Sequence, residues 1–216
     1  MFSANRRRVS LRLLDSNVGQ KSKHHFCRLQ RQGAAICLAT HYPQLNVLQD
    51  KYKEHLQIFG FPCNQFGLFN LNLYKKQEPG GNPEEIINGI KYVRPGKGFV
   101  PNFILTKKIE VNGKNQESVF AFLKKSCPST RDTFSNKARL YYDPLHSRDI
   151  KWNWEKFLIE PFTGTPFRRY DASHEPKDFE NDIQLLVSKR MEKLAANGNN
   201  STNGTQTPNY GMASQL

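Results

Sequence analysis

The stretch Ile58-Phe59-Gly60-Phe61-Pro62-Cys63-Asn64-Gln65-Phe66-Gly67 constrains this chain more than any other. An apolar run rich in β-formers stops abruptly at Pro, Asn and Gly, which predicts a buried strand running into a tight loop. Strand ends of this kind are where α/β sheets place their chemistry. Helix precedes it: Leu45, Leu48, Tyr52 and Leu56 recur at spacings of three, four and four, one face of an amphipathic helix. His41-Tyr42-Pro43 is expected to open that helix, with Pro43 in its first turn. The short apolar run Ala34–Thr40 before it suffices only for a stub of strand.

Downstream, Asn82-Pro83-Glu84-Glu85 caps a helix that should run to about Tyr92. Asn102–Leu105 predicts a strand, and Lys108–Val111 a second strand meeting the Asn112-Gly113 turn as a hairpin. Glu117–Lys125 is helical. Lys156–Ile159 and Pro166–Tyr170 read as strands joined by Thr163-Gly164-Thr165, and a last helix covers about 176–195. Strand, helix, strand, helix, hairpin, helix is a βαβ unit followed by ββα. The fold class is α/β: a thioredoxin-like mixed sheet with flanking helices, its first central strand truncated or missing.

The net charge of +13 raises the question of a nucleic-acid binder, so its location matters. Residues 1–33 carry eight Lys/Arg against Asp15 alone, more than half of the excess. Such a leader could touch phosphate backbones, but no aromatic-basic interleaving accompanies it. A basic, disordered leader is expected over 1–33, one domain over 34–188, and the end of the last helix plus a disordered Asn/Gly/Ser/Thr-rich tail over 189–216. No apolar run reaches the length of a membrane span. The N-terminus lacks the apolar core of a secretory signal, so the expected compartment is cytoplasmic and reducing. Cys27, Cys37, Cys63 and Cys127 show neither CxxC spacing nor a His pair for zinc, so free thiols and no metal site are expected.

Phe61–Gly67, Lys76-Gln77-Glu78-Pro79-Gly80 and Trp152-Asn153-Trp154-Glu155-Lys156-Phe157 follow one another in order. Together they resemble the signatures of the glutathione peroxidase family, over about residues 36–188. Arg94-Pro95-Gly96-Lys97-Gly98-Phe99-Val100-Pro101-Asn102 resembles the loop of its tetrameric, extracellular-type, selenium-dependent branch. The resemblance implies an antioxidant enzyme of the oxidative stress response that reduces hydrogen peroxide or organic hydroperoxides. Glutathione would be the reducing co-substrate, with no metal or other cofactor. It also implies a homotetramer and, against the missing signal, an extracellular address. Gln77, Trp152 and Asn153 would ring the reacting chalcogen, the Gln amide and the indole N–H donating to the anion and to charge developing on oxygen. Taken alone, Trp152 reads as a core aromatic and Gln77 as a surface amide. Arg94, Arg168 and Arg169 would meet the two carboxylates of glutathione, or else be solvated surface charge. Cys63, at the strand end, is in this family an ordinary motif cysteine.

Two departures bear on activity. Residues 68–75 (Leu68–Lys75) read as an eight-residue insertion between Gly67 and the Gln77 loop. Counting back from Tyr42 in register puts Ile36 at the nucleophile and Cys37 one place later, so Cys37 takes the role only with a shift of one. The competing reading is a catalytically inactive member acting as a structural or binding subunit. One hypothesis covers both the missing strand and the missing nucleophile: a selenocysteine, encoded by a codon normally read as stop, lost from the reading frame. Transcript sequence across the region is expected to show that codon; an uninterrupted frame encoding residues 1–40 as written removes the explanation.

Overall fold

The computed structural model describes residues 9–15, 28–66, 81–134, 137 and 140–201, with side chains over 40–66, 81–134, 137 and 140–197. Five strands form one mixed sheet in the order β3-β2-β1-β4-β5. They are β1 (Val9–Asp15), β2 (Leu56–Pro62), β3 (Ile104–Leu105), β4 (Lys156–Ile159) and β5 (Pro166–Tyr170). β1 runs parallel to β2, and β2 to β3, whereas β4 is antiparallel to both β1 and β5. The helices are α1 (Arg28–Lys51), α2 (Pro83–Asn88), α3 (Ser118–Ser126) and α4 (Glu180–Ser201). β1-α1-β2 is a parallel crossover unit and β4-β5-α4 a hairpin plus helix, the thioredoxin-like arrangement.

The elements with strong local signals form where expected. Asn82 caps α2 by accepting from the Glu85 N–H at 2.9 Å, and the helix continues as a π turn through Val93. Thr163-Gly164-Thr165 joins β4 to β5, with Gly164 at φ +73°. α4 follows the 3-10 turn Pro176–Phe179 and runs to Ser201, beyond the expected end near 195.

Three expectations are corrected. The centre of the sheet is not truncated: Val9–Asp15, inside the supposed disordered leader, pairs with β2 on one side and β4 on the other. Val9-Ser10-Leu11-Arg12-Leu13 has the period of two that a strand needs, though basic residues surround it. Ala34–Thr40 is helix rather than strand, and α1 begins at Arg28, leaving Pro43 inside it. A short apolar run is ambiguous between the two states, and its three alanines favour helix. Lys108–Val111 forms no strand. The Ile109 N–H donates to the Pro62 carbonyl at 2.9 Å, and Gln65 Oε1 accepts from the Val111 and Asn112 N–H groups at 2.9 and 3.0 Å. The insertion at 68–75, residues 1–8 and the tail beyond Ser201 lie outside the described residues.

Successive residues of a strand point to opposite faces, and β2 and β4 sort their side chains into two cores accordingly. Leu56, Ile58 and Leu158 join Tyr42, Leu45 and Leu48 of α1 and Ile183 and Leu186 of α4 on one face. Phe61, Phe157 and Ile159 join Phe120 and Leu123 of α3 on the other.

After β5, Asp171 fastens the chain to the turn at Ser129–Arg131. Arg131 Nη2 donates to it at 2.7 Å, and the Ser173 N–H and hydroxyl at 2.9 and 2.8 Å. Burial alone would raise its pKa, but these donors outweigh that and hold the carboxyl well below its ordinary 3.8. A depressed folded-state value stabilises fully above 3.8 and is lost as pH falls below it. Asp171→Asn should therefore be less stable at neutral pH and show a flatter decline of Tm below pH about 4. An acid limb as steep as the parent's in thermal melts would contradict this.

Candidate active site

Asp15 lies opposite Pro62, and Leu13 opposite Lys156. The C-terminal ends of β1 and β2 and the start of β4 thus share one edge of the sheet. Two conspicuous segments meet there: Cys63–Phe66 leaving β2, and Lys151–Glu155 entering β4. The Trp152 and Phe66 ring centroids are 6.3 Å apart with the planes tilted at 50°. Phe66 is fully buried, Asn153 is buried, and Trp152 is half-buried against both cores.

Trp154 explains how the second segment turns. It has φ +66°, in the left-handed region that a bulky aromatic seldom occupies. Such a conformation persists only where the surroundings over-determine it. Here the indole packs against His41 at 5.0 Å and edge-on against Tyr42 at 5.1 Å, both from α1. On the far side Glu155, with no exposed surface, closes the loop: Oε1 accepts from the Lys151 N–H at 2.7 Å and Oε2 from Arg169 Nε at 2.6 Å. Burial pushes the Glu155 carboxyl up, and the Arg169 guanidinium pulls it back. Trp152 and Asn153 are therefore presented by a loop locked at both ends.

That pairing corrects the expectation for Arg169. Its guanidinium is 2% exposed and also donates to the carbonyls of Pro128, Arg148 and Asp149, so it holds loops together and does not face a ligand. Arg168, its neighbour on β5, points the other way and bonds Asp182 of α4 at 2.8 Å. Arg94 follows the π turn in extended backbone, its N–H donating to the Gly89 carbonyl at 2.9 Å. Arg168 and Arg169 thus part to opposite faces of β5.

Gln77 lies outside the described residues. Cys37 belongs to the interior of α1, not to a strand end. It stands one turn before His41, a spacing of four that puts both positions on one helix face. His41 is buried, and its Nε2 lies 2.8 Å from Nζ of the buried Lys156, whose ammonium also donates to the Ala172 and His174 carbonyls. Neither His41 nor Lys156 is legible as a site neighbour in sequence, because 115 residues separate them.

Cys63 is fully buried, and burial raises its thiol to about 12. Its Sγ lies 3.6 Å from Gln65 Oε1, and Gln65 itself is spent on the backbone of Val111 and Asn112. Burial likewise raises the thiol of Cys127. A thiol of this kind holds almost no thiolate at neutral pH. Among the described residues no group of three or more His, Cys, Asp or Glu could hold a metal ion, and no helix is long and apolar enough to cross a membrane. Folded protein treated with iodoacetamide at pH about 8 should remain unmodified at Cys63 and react there only after denaturation. Rapid native alkylation of Cys63 in peptide mass spectra would refute its inertness.

The chain is similar to known proteins of one family. The family model described as glutathione peroxidase matches residues 20–124. Glutathione peroxidase 6 of Mus musculus is 50% identical over 163 residues, covering 74% of this chain and 66% of the relative. The epididymal secretory glutathione peroxidase of Macaca fascicularis is 46% identical over 162 residues, 74% of this chain and 69% of that one. The crystal structure of T. cruzi GPX1 shares 21% identity at a TM-score of 0.49, over 87% of this chain and 86% of that one. The chain spans about two thirds of the length of the curated relatives it matches. With 46% of the aligned residues identical to a relative matched over 69% of its length, and Trp152 held beside the loop that follows β2, this chain belongs to the glutathione peroxidase family.

Proposed function

We propose that the chain reduces hydrogen peroxide or organic hydroperoxides with glutathione, in the response to oxidative stress. The observation that carries this reading is the locked presentation of Trp152 and Asn153 beside Phe66 at the strand-end edge. A chalcogen anion attacks one peroxide oxygen and the O–O bond breaks. The other oxygen leaves as water or alcohol after taking a proton, and the sulfur becomes a sulfenic acid. One glutathione condenses with it, releasing water, and a second displaces the mixed disulfide to give glutathione disulfide and the free thiol. The barrier of the first step falls when hydrogen-bond donors meet the developing charge. Trp152 Nε1–H and the Gln77 amide are assigned that role, with Asn153 beside them.

Cys37 is proposed as the sulfur nucleophile from its register before Tyr42, shifted by one; Cys63 and Cys127 are buried, and burial raises both thiols. No cofactor beyond the glutathione co-substrate is invoked. Arg94 remains a proposed contact for its carboxylates, and a homotetramer and an extracellular address, by analogy with the branch resembled, belong to the same reading. A second reading, an inactive member serving as a structural or binding subunit, is favoured by the helical interior position of Cys37.

The two readings separate in an assay coupling glutathione oxidation to NADPH consumption. Turnover by the full chain should vanish in Cys37→Ser and persist in Cys63→Ala. Trp152→Phe, which keeps the ring and deletes the donor, should lower kcat/KM by about 10²-fold. Absence of hydroperoxide turnover in chain shown to be folded by circular dichroism would favour the inactive subunit.

A further inference from the structure

On the α3 face of the sheet a cavity of about 650 Å³ is walled by three separate segments. Gly113, Lys114 and Gln116 come from the turn after Asn112, and Ala121, Lys124 and Lys125 from α3. Pro144, His146, Arg148 and Asp149 come from the segment leading to the Trp152 loop. The volume is that of a small-molecule site. Spacings of three and four put Ala121, Lys124 and Lys125 on one side of the helix.

The electrostatics of this wall are one-sided. Asp149 is its only carboxylate, and it is already neutralised: Lys124 Nζ donates to it at 2.9 Å, with both side chains buried, and the His146 N–H donates at 2.7 Å. Lys114, Lys125 and Arg148 are exposed, and among the described residues none of them pairs with a carboxylate. Arg148 is held in place by its Nη1 bond to the Lys125 carbonyl at 2.9 Å. His146 Nδ1 accepts from the Arg148 N–H at 3.3 Å, which leaves the proton on Nε2 as a further donor.

We propose that this cavity is a binding site for a small anion, a phosphate monoester or a polycarboxylate, separate from the peroxide-reducing edge. The anionic group meets Lys114, Lys125 and Arg148, a charge-assisted arrangement suited to both chemistries. Asn112 joins the wall to the segment before the Trp152 loop: its Oδ1 accepts from Lys124 Nζ at 2.9 Å and from the Ile150 N–H at 3.1 Å.

Calorimetric titration of the full chain at low ionic strength tests the site, with glucose 6-phosphate and citrate as probes and uncharged glucose as control. Saturable one-site binding of either anion, and none of glucose, is expected. Binding of the phosphate ester alone or of citrate alone identifies the source. Lys114→Glu and Arg148→Ala should each weaken binding by about tenfold or more, the worth of a hydrogen bond to a charged group. Lys177→Ala, at an exposed lysine outside the cavity, should leave it unchanged. Absence of saturable binding for both anions, or binding indifferent to Lys114→Glu and Arg148→Ala, overturns the proposal.

Discussion

The ion pair between Glu155 and Arg169 is the interaction on which most of the candidate site depends. Both side chains are within 2% of complete burial, where removing two charges from water costs several kcal/mol per ion, an order-of-magnitude figure. The pair is tolerable because the surrounding backbone supplies what water would. Arg169 meets three carbonyls from two different loops, and Glu155 takes a backbone N–H as well as the guanidinium. One residue at the head of β4 and one on β5 thereby fix the turn at Pro128, the segment at Arg148–Asp149 and the Trp152 loop together.

A second polar device works at the other end of the same edge. Gln65 does for Val111 and Asn112 what a neighbouring strand would have done, accepting from two successive amides. Its own Nε2 returns a bond to the Asn112 carbonyl at 3.0 Å. The loop after β2 is therefore set by amide hydrogen bonds, with the Cys63 sulfur enclosed beneath it. Enclosure and reactivity are opposed here: the burial that makes Cys63 good packing removes the charge a nucleophile needs.

Legibility in the sequence followed the range of the interactions. The Asn82 cap, the Thr163-Gly164-Thr165 hairpin and the faces of α3 and α4 are local, and their residues announce them. Arg168 and Arg169 look equivalent on paper, yet strand alternation sends the first toward α4 and the second into the core. Which of two neighbouring arginines is buried depends on the face covered, and that is decided by Phe157 and Glu155 across the hairpin. Val9–Asp15, expected to be disordered, is strand, and Ala34–Thr40, expected to be strand, is helix, for a related reason. A basic surrounding masked a period of two in the first, and a short apolar run carried no period in the second. Trp152 and Asn153 were recognisable by motif, but the positive φ at Trp154 that turns their loop has no signature in residue types.

Asn112 and Gly113 have a consequence for how the molecule ages. An asparagine followed by glycine is the sequence at which a backbone nitrogen most readily attacks the side-chain amide, expelling ammonia and leaving aspartate or isoaspartate. In this fold the carboxamide is held on both sides, its nitrogen donating to the Ile150 carbonyl at 2.9 Å and its oxygen occupied by Lys124 and Ile150. Attack requires those bonds to open. Conversion would trade a donor for a negative charge at the junction of α3, the Gln65 loop and the entry to β4. The slow chemistry of one dipeptide thus becomes a clock for how often that junction comes apart.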